Sequence, residues 1–157
     1  MTVALQDGFR SVFRRHPAGV VVITLDGGDG PAGFTATSLS SLSLEPPLVS
    51  FGIGSGASCW PHVRDARHAV VNFLAHDQEL VARRFATSGI DRFAGTSWSR
   101  LSTGEPVLDG VASWLRVRIE SLVPAGDHRL VVAAVQETHS DADARPLLYH
   151  DGTYHTL

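Results

Sequence analysis

The apolar runs of this chain are short, and that limits its fold more than any other feature. GVVVITL (19–25), LVSFGI (48–53) and HAVVNFL (68–74) are β-branched or apolar stretches of strand length. The turn cluster DGGDGP (26–31) separates the first from AGFTAT, so 19–37 predicts a β-hairpin. From Val111 to Val123 the odd positions read Val, Ser, Leu, Val, Ile, Ser, Val, while Trp114, Arg116, Arg118 and Glu120 stand at even ones. This alternation predicts a strand whose odd positions face the core. LVVAAV (130–135) is apolar on both faces, as suits a central strand or one covered by a partner subunit. PLLYHDGTYHTL predicts a last hairpin, turned at Asp151-Gly152.

Helical spacing is confined to short segments. Leu5, Phe9, Val12 and Phe13 predict an amphipathic helix ended by Pro17. Asp77 is placed to cap DQELVARRFA, in which Leu80, Val81 and Phe85 share a face. Residues 87–110, rich in Gly, Ser and Thr, read as a long surface loop. The expectation is one mainly β domain over 1–157, with six to eight strands and two or three helices. An antiparallel barrel with peripheral helices fits that pattern better than a parallel βαβ fold.

Composition removes several function classes. The 13 basic residues, all Arg, face 16 acidic ones for a net charge of −3, which argues against a general nucleic-acid binder. Cys59 stands alone, so neither a disulfide framework nor a thiolate zinc cage is available. Eight His residues occur, but none at H-x-H or helical i,i+4 spacing, so they read as surface or satisfied groups and no metal is expected. No apolar run approaches the ~18 residues of a membrane span. The start, MTVALQDGFRSVFRRH, carries Asp7 and does not read as a signal peptide. A soluble, cytoplasmic protein with no membrane or nucleic-acid partner is expected.

Three segments are candidates for chemistry. GFTATSLSSLSLEPPLVSF (33–51) places two Thr and five Ser between Thr35 and Ser50, directly after a strand. Such an edge offers hydroxyl and backbone donors to a planar, acceptor-rich heterocycle or a phosphate, though a solvated loop has the same composition. GSGASCWPHVRDAR (54–67) adds Gly and Ser donors before a helical turn opened at Trp60-Pro61, which suits an anion or an ordinary loop equally. Gly126-Asp127-His128 lies at a tight turn between two long strands, where a His can touch a ligand or donate a proton, or simply face solvent.

Together these segments resemble the short-chain NAD(P)H:flavin oxidoreductase family, the reductase components of two-component monooxygenases. The likeness runs from about Phe9 to Leu157, and its parts stand in family order. FRSVFRRHPAGVVVITL resembles the opening helix and strand, and GFTATSLSSLSLEPPLVSF the hydroxyl-rich flavin loop with its Pro-Pro strand. SCWPHVRDARHAVVNFLA, DRFAG and GDHRLVVAAV resemble the next turn and strand, the short motif after the helix, and the Gly-Asp-His nicotinamide motif.

The resemblance implies a split β-barrel homodimer of the FMN-binding type that binds FMN or FAD near the dimer interface. NADH or NADPH would pass a hydride from nicotinamide C4 to flavin N5, and the reduced flavin would diffuse to a flavin-dependent monooxygenase. By the same match Thr35, Ala36, Thr37 and Ser38 would line the isoalloxazine edge. Ser50, Phe51, Gly52, Ser58, Cys59 and Trp60 would lie along the ribityl–phosphate path. Arg92 and Phe93 would close over the phosphate or adenine end. His128 would contact the nicotinamide as the catalytic residue, with Asp127 holding the turn. Two departures point to alternatives: Ala133 and Ala134 replace a frequent Gly and acidic residue, and Thr37-Ser38-Leu39 a frequent Ser or Asn with an aromatic. A flavin-retaining oxidase or monooxygenase-like enzyme, or a non-enzymatic flavin-binding module, would account for them.

Overall fold

The structure, a computed structural model, describes residues 2–157; Met1, part of the expected 1–157 span and of the opening segment, lies outside them. Thr2 caps α1 (Val3–Arg14), its hydroxyl accepting from Leu5 N at 3.3 Å. The chain continues through β1 (Ala18–Gly19), β2 (Val21–Asp26), β3 (Pro31–Ala36), β4 (Ser40–Leu44), β5 (Pro47–Gly54) and α2 (Trp60–Asp65). Next come β6 (His68–Phe73), α3 (Glu79–Arg84), β7 (Trp98–Arg100), β8 (Pro106–Leu108), β9 (Ser113–Ala125), β10 (His128–Ser140), β11 (Leu147–His150) and β12 (Thr153–Thr156). No helix of the described residues is long and apolar enough to cross a membrane.

Every strand pairing is antiparallel, so the mainly β expectation stands. The main sheet has the order β3-β2-β6-β9-β10-β5-β4, flanked by a β1-β11-β12 sheet and the β7-β8 hairpin. It curls until Phe34 of β3 meets Phe51 of β5, with ring centroids 6.3 Å apart, although no ladder joins those strands. The expected hairpins at 19–37 and at Asp151-Gly152 form, the latter with both turn residues at positive φ (51° and 78°).

The strand β2 explains its own all-apolar sequence. Val21, Ile23 and Leu25 enter a core between the curled halves of the sheet, while Val22, with Val20 before it, enters a second core under α3. Both faces are buried, so no polar alternation survives.

Four expectations change. Among the described residues twelve strands form instead of six to eight, the additions being short ones such as β1, β4, β7 and β8. Residues 87–110 are no surface loop: Phe93 packs edge-on against Phe85 (5.0 Å) and Trp98 (5.3 Å), and Val107 and Leu108 are buried. Irregularly spaced apolar residues leave no period to read, yet they build the second core. Gln78, not Asp77, precedes α3; its side chain accepts from Ala75 N (2.8 Å) and donates to Asp109 O (2.9 Å). On α3 it is Ala82, followed by Phe85, that is buried, while Leu80 is 79% exposed. Finally, the core phase of β9 breaks at a bulge. Val132 faces Ser121 but Ala133 faces Ile119, so Glu120 is an extra residue. Past it Leu122 turns inward and Val123 is left exposed.

Buried polar groups bolt the β7-β8 hairpin to the sheet. Asn72 Nδ2 donates to Val22 O and Thr24 Oγ1, both at 2.9 Å, and its Oδ1 accepts from Leu108 N at 2.9 Å. Thr24 Oγ1 donates to Pro106 O at 2.6 Å. Beside them Glu105 takes two bonds from Arg116 (both 3.1 Å) and one from the Thr103 hydroxyl. Burial alone would push the Glu105 carboxyl up, but the Arg116 and Thr103 hydrogen bonds outweigh it and hold it below its ordinary value. A depressed carboxyl stabilises the fold above its unfolded pKa, and that contribution is lost as pH falls through the folded value. Urea midpoints should therefore drop on acidification below about pH 4.5, and Glu105→Gln should lower the neutral-pH midpoint and flatten this acid limb.

Candidate functional site

A cleft of about 440 Å³ opens where the ends of β3 and β5 and the start of β10 converge. Its floor is bare backbone. Gly52 and Gly54 carry no side chains, and a Cβ added at Gly52 would stand 3.6 Å from both Ser38 Oγ and His128 Cδ2. Ser38 and His128 therefore flank a flat, side-chain-free strip of β5. Ser38 Oγ also accepts from Gly52 N at 2.9 Å, which fixes the loop after β3 against the floor.

The β-ladder sets the position of His128, which pairs with Gly54 on one side and Ala125 on the other. The turn before it uses Gly126 at φ 62°, a left-handed value that suits Gly. Asp127 Oδ1 lies 2.8 Å from His128 Nδ1, and the imidazole beside it holds the Asp127 carboxyl below its ordinary value. With Nδ1 engaged by Asp127, Nε2 makes no hydrogen bond among the described residues and can face a ligand.

The Cys59 and Arg92 side of the cleft is held from behind by one carbonyl. Gly33 O accepts from Arg92 Nη1 at 2.8 Å and from Cys59 Sγ at 3.2 Å. Arg92 Nε donates to Thr87 O at 3.0 Å, and Arg92 forms no ion pair among the described residues. An unneutralised guanidinium at the mouth of a cleft favours an anion there.

Of the residues expected from sequence, Thr35, Ala36, Thr37, Ser38, Gly52, Ser58, Cys59, Arg92 and His128 line this one cleft. The Thr35 hydroxyl donates to Ala82 O at 2.7 Å, so it also ties β3 to α3. The other five lie elsewhere. Strand alternation sends the Phe51 side chain into the core, and Ser50 is buried between β4 and β10. Trp60 packs on the core beneath the Arg129 guanidinium, 5.4 Å from its ring centroid. Phe93 belongs to the second core, and Asp127 touches the cleft only through His128.

Sequence reading missed Phe34, Ile53, Gly54, Ala57, Phe85, Ala86 and Ser88 among the lining residues. Gly54 ends β5, and Phe34, Ile53, Phe85 and Ala86 lie one or two residues from a strand or helix end, while Ala57 and Ser88 sit in the loops after β5 and α3. It also missed Arg129, whose Nη1 bonds Ser55 Oγ at 2.8 Å and so ties the 55–58 loop to the His128 turn. Ala133 and Ala134 pair with Val49 and Leu48, well down β10 from the cleft, and line none of it. Among the histidines, His76 departs from the satisfied reading, its Nδ1 being buried with no partner among the described residues.

The flavin reductase like domain matches residues 13–157, and the chain belongs to that family. It is 51% identical over 152 residues to an NADH:FMN oxidoreductase of Rhodococcus qingshengii, covering 94% of this chain and 79% of that protein. The reductase subunit of a flavin-dependent monooxygenase of Mycobacterium tuberculosis is 36% identical over 149 residues, covering 93% of this chain and 79% of that protein. Among solved structures, the NADH:FAD oxidoreductase of Streptomyces globisporus C-1027, in complex with NAD and FAD fragments, superposes with a TM-score of 0.93. Identity there is 30%, with 100% of this chain and 95% of that one covered.

Gly33 is where the wall tolerates least. An added Cβ would lie 2.8 Å from Ile23 O and 3.0 Å from Phe85 Cε1. Gly33→Ala should lower unfolding free energy by about 1–3 kcal/mol, read from denaturant midpoints.

Proposed function

We propose that this chain is an NAD(P)H-dependent flavin reductase that takes FMN or FAD as its flavin and releases it reduced to a partner monooxygenase. The observation that carries the reading is the bare Gly52–Gly54 strip between Ser38 and His128. A planar ring system can lie on it, with hydroxyl and backbone donors along one edge and one face left open. Arg92, on the Cys59 side of the cleft, suits the phosphate end of a flavin nucleotide.

The flavin supplies acceptance of a hydride at its N5 from nicotinamide C4. The chain's own work is positional: the Gly52–Gly54 strip sets the plane of the ring, and Ser38, Thr37 and the backbone hold its edge. His128, braced by Asp127, orients the nicotinamide amide over the open face or holds a proton at Nε2. Electrostatics at the edge, rather than a strong acid or base, then lowers the barrier.

The same reading extends to assembly. The chain is one domain whose curled sheet is the half-open wall of a split barrel, which the approach of Phe34 to Phe51 supports. Leu5, Phe9, Val12 and Phe13 leave the apolar face of α1 at least 55% exposed, and a second copy is the occupant that a homodimer provides. A cytoplasmic setting, where nicotinamide nucleotides are held reduced, fits this role.

Desalted protein given NADH should oxidise it only when free FMN or FAD is added, with saturation in flavin. A yellow protein that survives desalting and ignores NADH would overturn the reductase reading. His128→Ala should raise KM for NADH several-fold, by removing a contact made in both ground and transition states, and leave flavin affinity nearly unchanged. Equal loss of both would remove the nicotinamide role of His128.

A further inference from the structure

Arg84, at the end of α3, makes two hydrogen bonds that serve nothing in its own helix. Its Nε donates to Arg92 O at 2.9 Å and its Nη2 to Asp91 O at 2.6 Å. The neighbouring Arg83 behaves as a surface arginine does, pairing with Glu79 at 3.1 Å one turn back. Arg84 has no such carboxylate among the described residues.

What Arg84 grips is the turn that carries Arg92. Asp91 Oδ1 accepts from Phe93 N (3.1 Å) and Ala94 N (3.3 Å), closing the turn on its outer side. Thr96 Oγ1 adds a second donor to Arg92 O at 3.2 Å. With its backbone fixed, Arg92 reaches back over the cleft wall to Gly33 O and Thr87 O through Nη1 and Nε. Its Nη2 has no protein partner among the described residues, and that edge is available to an anion.

We propose that Arg84 is a positioning residue that aims the Arg92 guanidinium at the phosphate of the flavin nucleotide. Arg84 touches no ligand itself. It acts through two carbonyls, and a group held at both of them cannot swing without breaking charge-assisted hydrogen bonds. The inference rests on the flavin-binding reading, and the test separates the two.

The measurement is affinity for FMN and for riboflavin, which lacks the phosphate, by flavin fluorescence on the full chain without NADH. The phosphate preference is the ratio of the two dissociation constants. Arg92→Gln should reduce it about tenfold, the size of one charge-assisted contact. Arg84→Gln should reduce it several-fold while riboflavin affinity stays unchanged. Arg84→Lys, which keeps the charge and one donor, guards against a folding failure and should show a smaller reduction. The double variant should be no worse than Arg92→Gln alone, since Arg84 acts only through Arg92. A preference untouched by Arg84→Gln, or FMN and riboflavin weakened equally by it, overturns the proposal while leaving flavin binding intact. Wild-type protein that binds neither flavin overturns the functional reading and this proposal together.

Discussion

The register of β10 against β5 is the constraint on which the site depends. It places His128 opposite Gly54 and Leu130 opposite Gly52, so one ladder fixes both the imidazole and the bare strip beside it. A slip of one residue would send His128 to the core face and Val131 outward. The apolar face of Val131 and Ala133, both fully buried, makes that slip costly. Core packing and site geometry are thus one selection made by the same strand.

Much of this was legible in advance because it follows period or turn chemistry. The paired strands around 19–37, the Asp151-Gly152 turn and the His128 hairpin each advertise themselves through Gly, Asp and β-branched runs. The hydroxyl-rich segment after β3 was legible only as a donor-lined wall or a solvated loop, and it is both: Thr35, Thr37 and Ser38 line the cleft while Ser40 and Ser41 are exposed on β4. Phe51 shows the limit of motif reading. A motif assigns a stretch to a ligand, but alternation decides which of its side chains point there, and Phe51 falls on the core face.

The second core was not legible. Phe93, Trp98 and Leu108 come from a stretch whose Gly, Ser and Thr content reads as solvated, and they acquire meaning only against Phe85 at the end of α3. Asn72 is similar: a lone Asn in an apolar strand signals nothing, yet it holds β2 and the β7-β8 hairpin at once. Contacts between residues distant in sequence leave no local trace, which hid Arg129 and its Ser55 partner; Arg84 was missed although its partners lie only seven and eight residues on. Both are cations whose partners are carbonyls, hydroxyls or rings rather than carboxylates.

The extra residue at Glu120 divides β9 into two stretches that obey opposite inside–outside rules. Inward of it, odd positions answer to the tightly packed interior; outward of it, the ribbon from Ser121 to Arg129 is wetted on most of its surface. The exposed positions of the outer stretch, Leu122 and Arg129 excepted, can therefore change without disturbing the interior, so long as the tip keeps the imidazole above the strip. One inserted residue thus frees the arm that carries His128 to the cleft to drift in sequence, while the body behind it stays under strict packing.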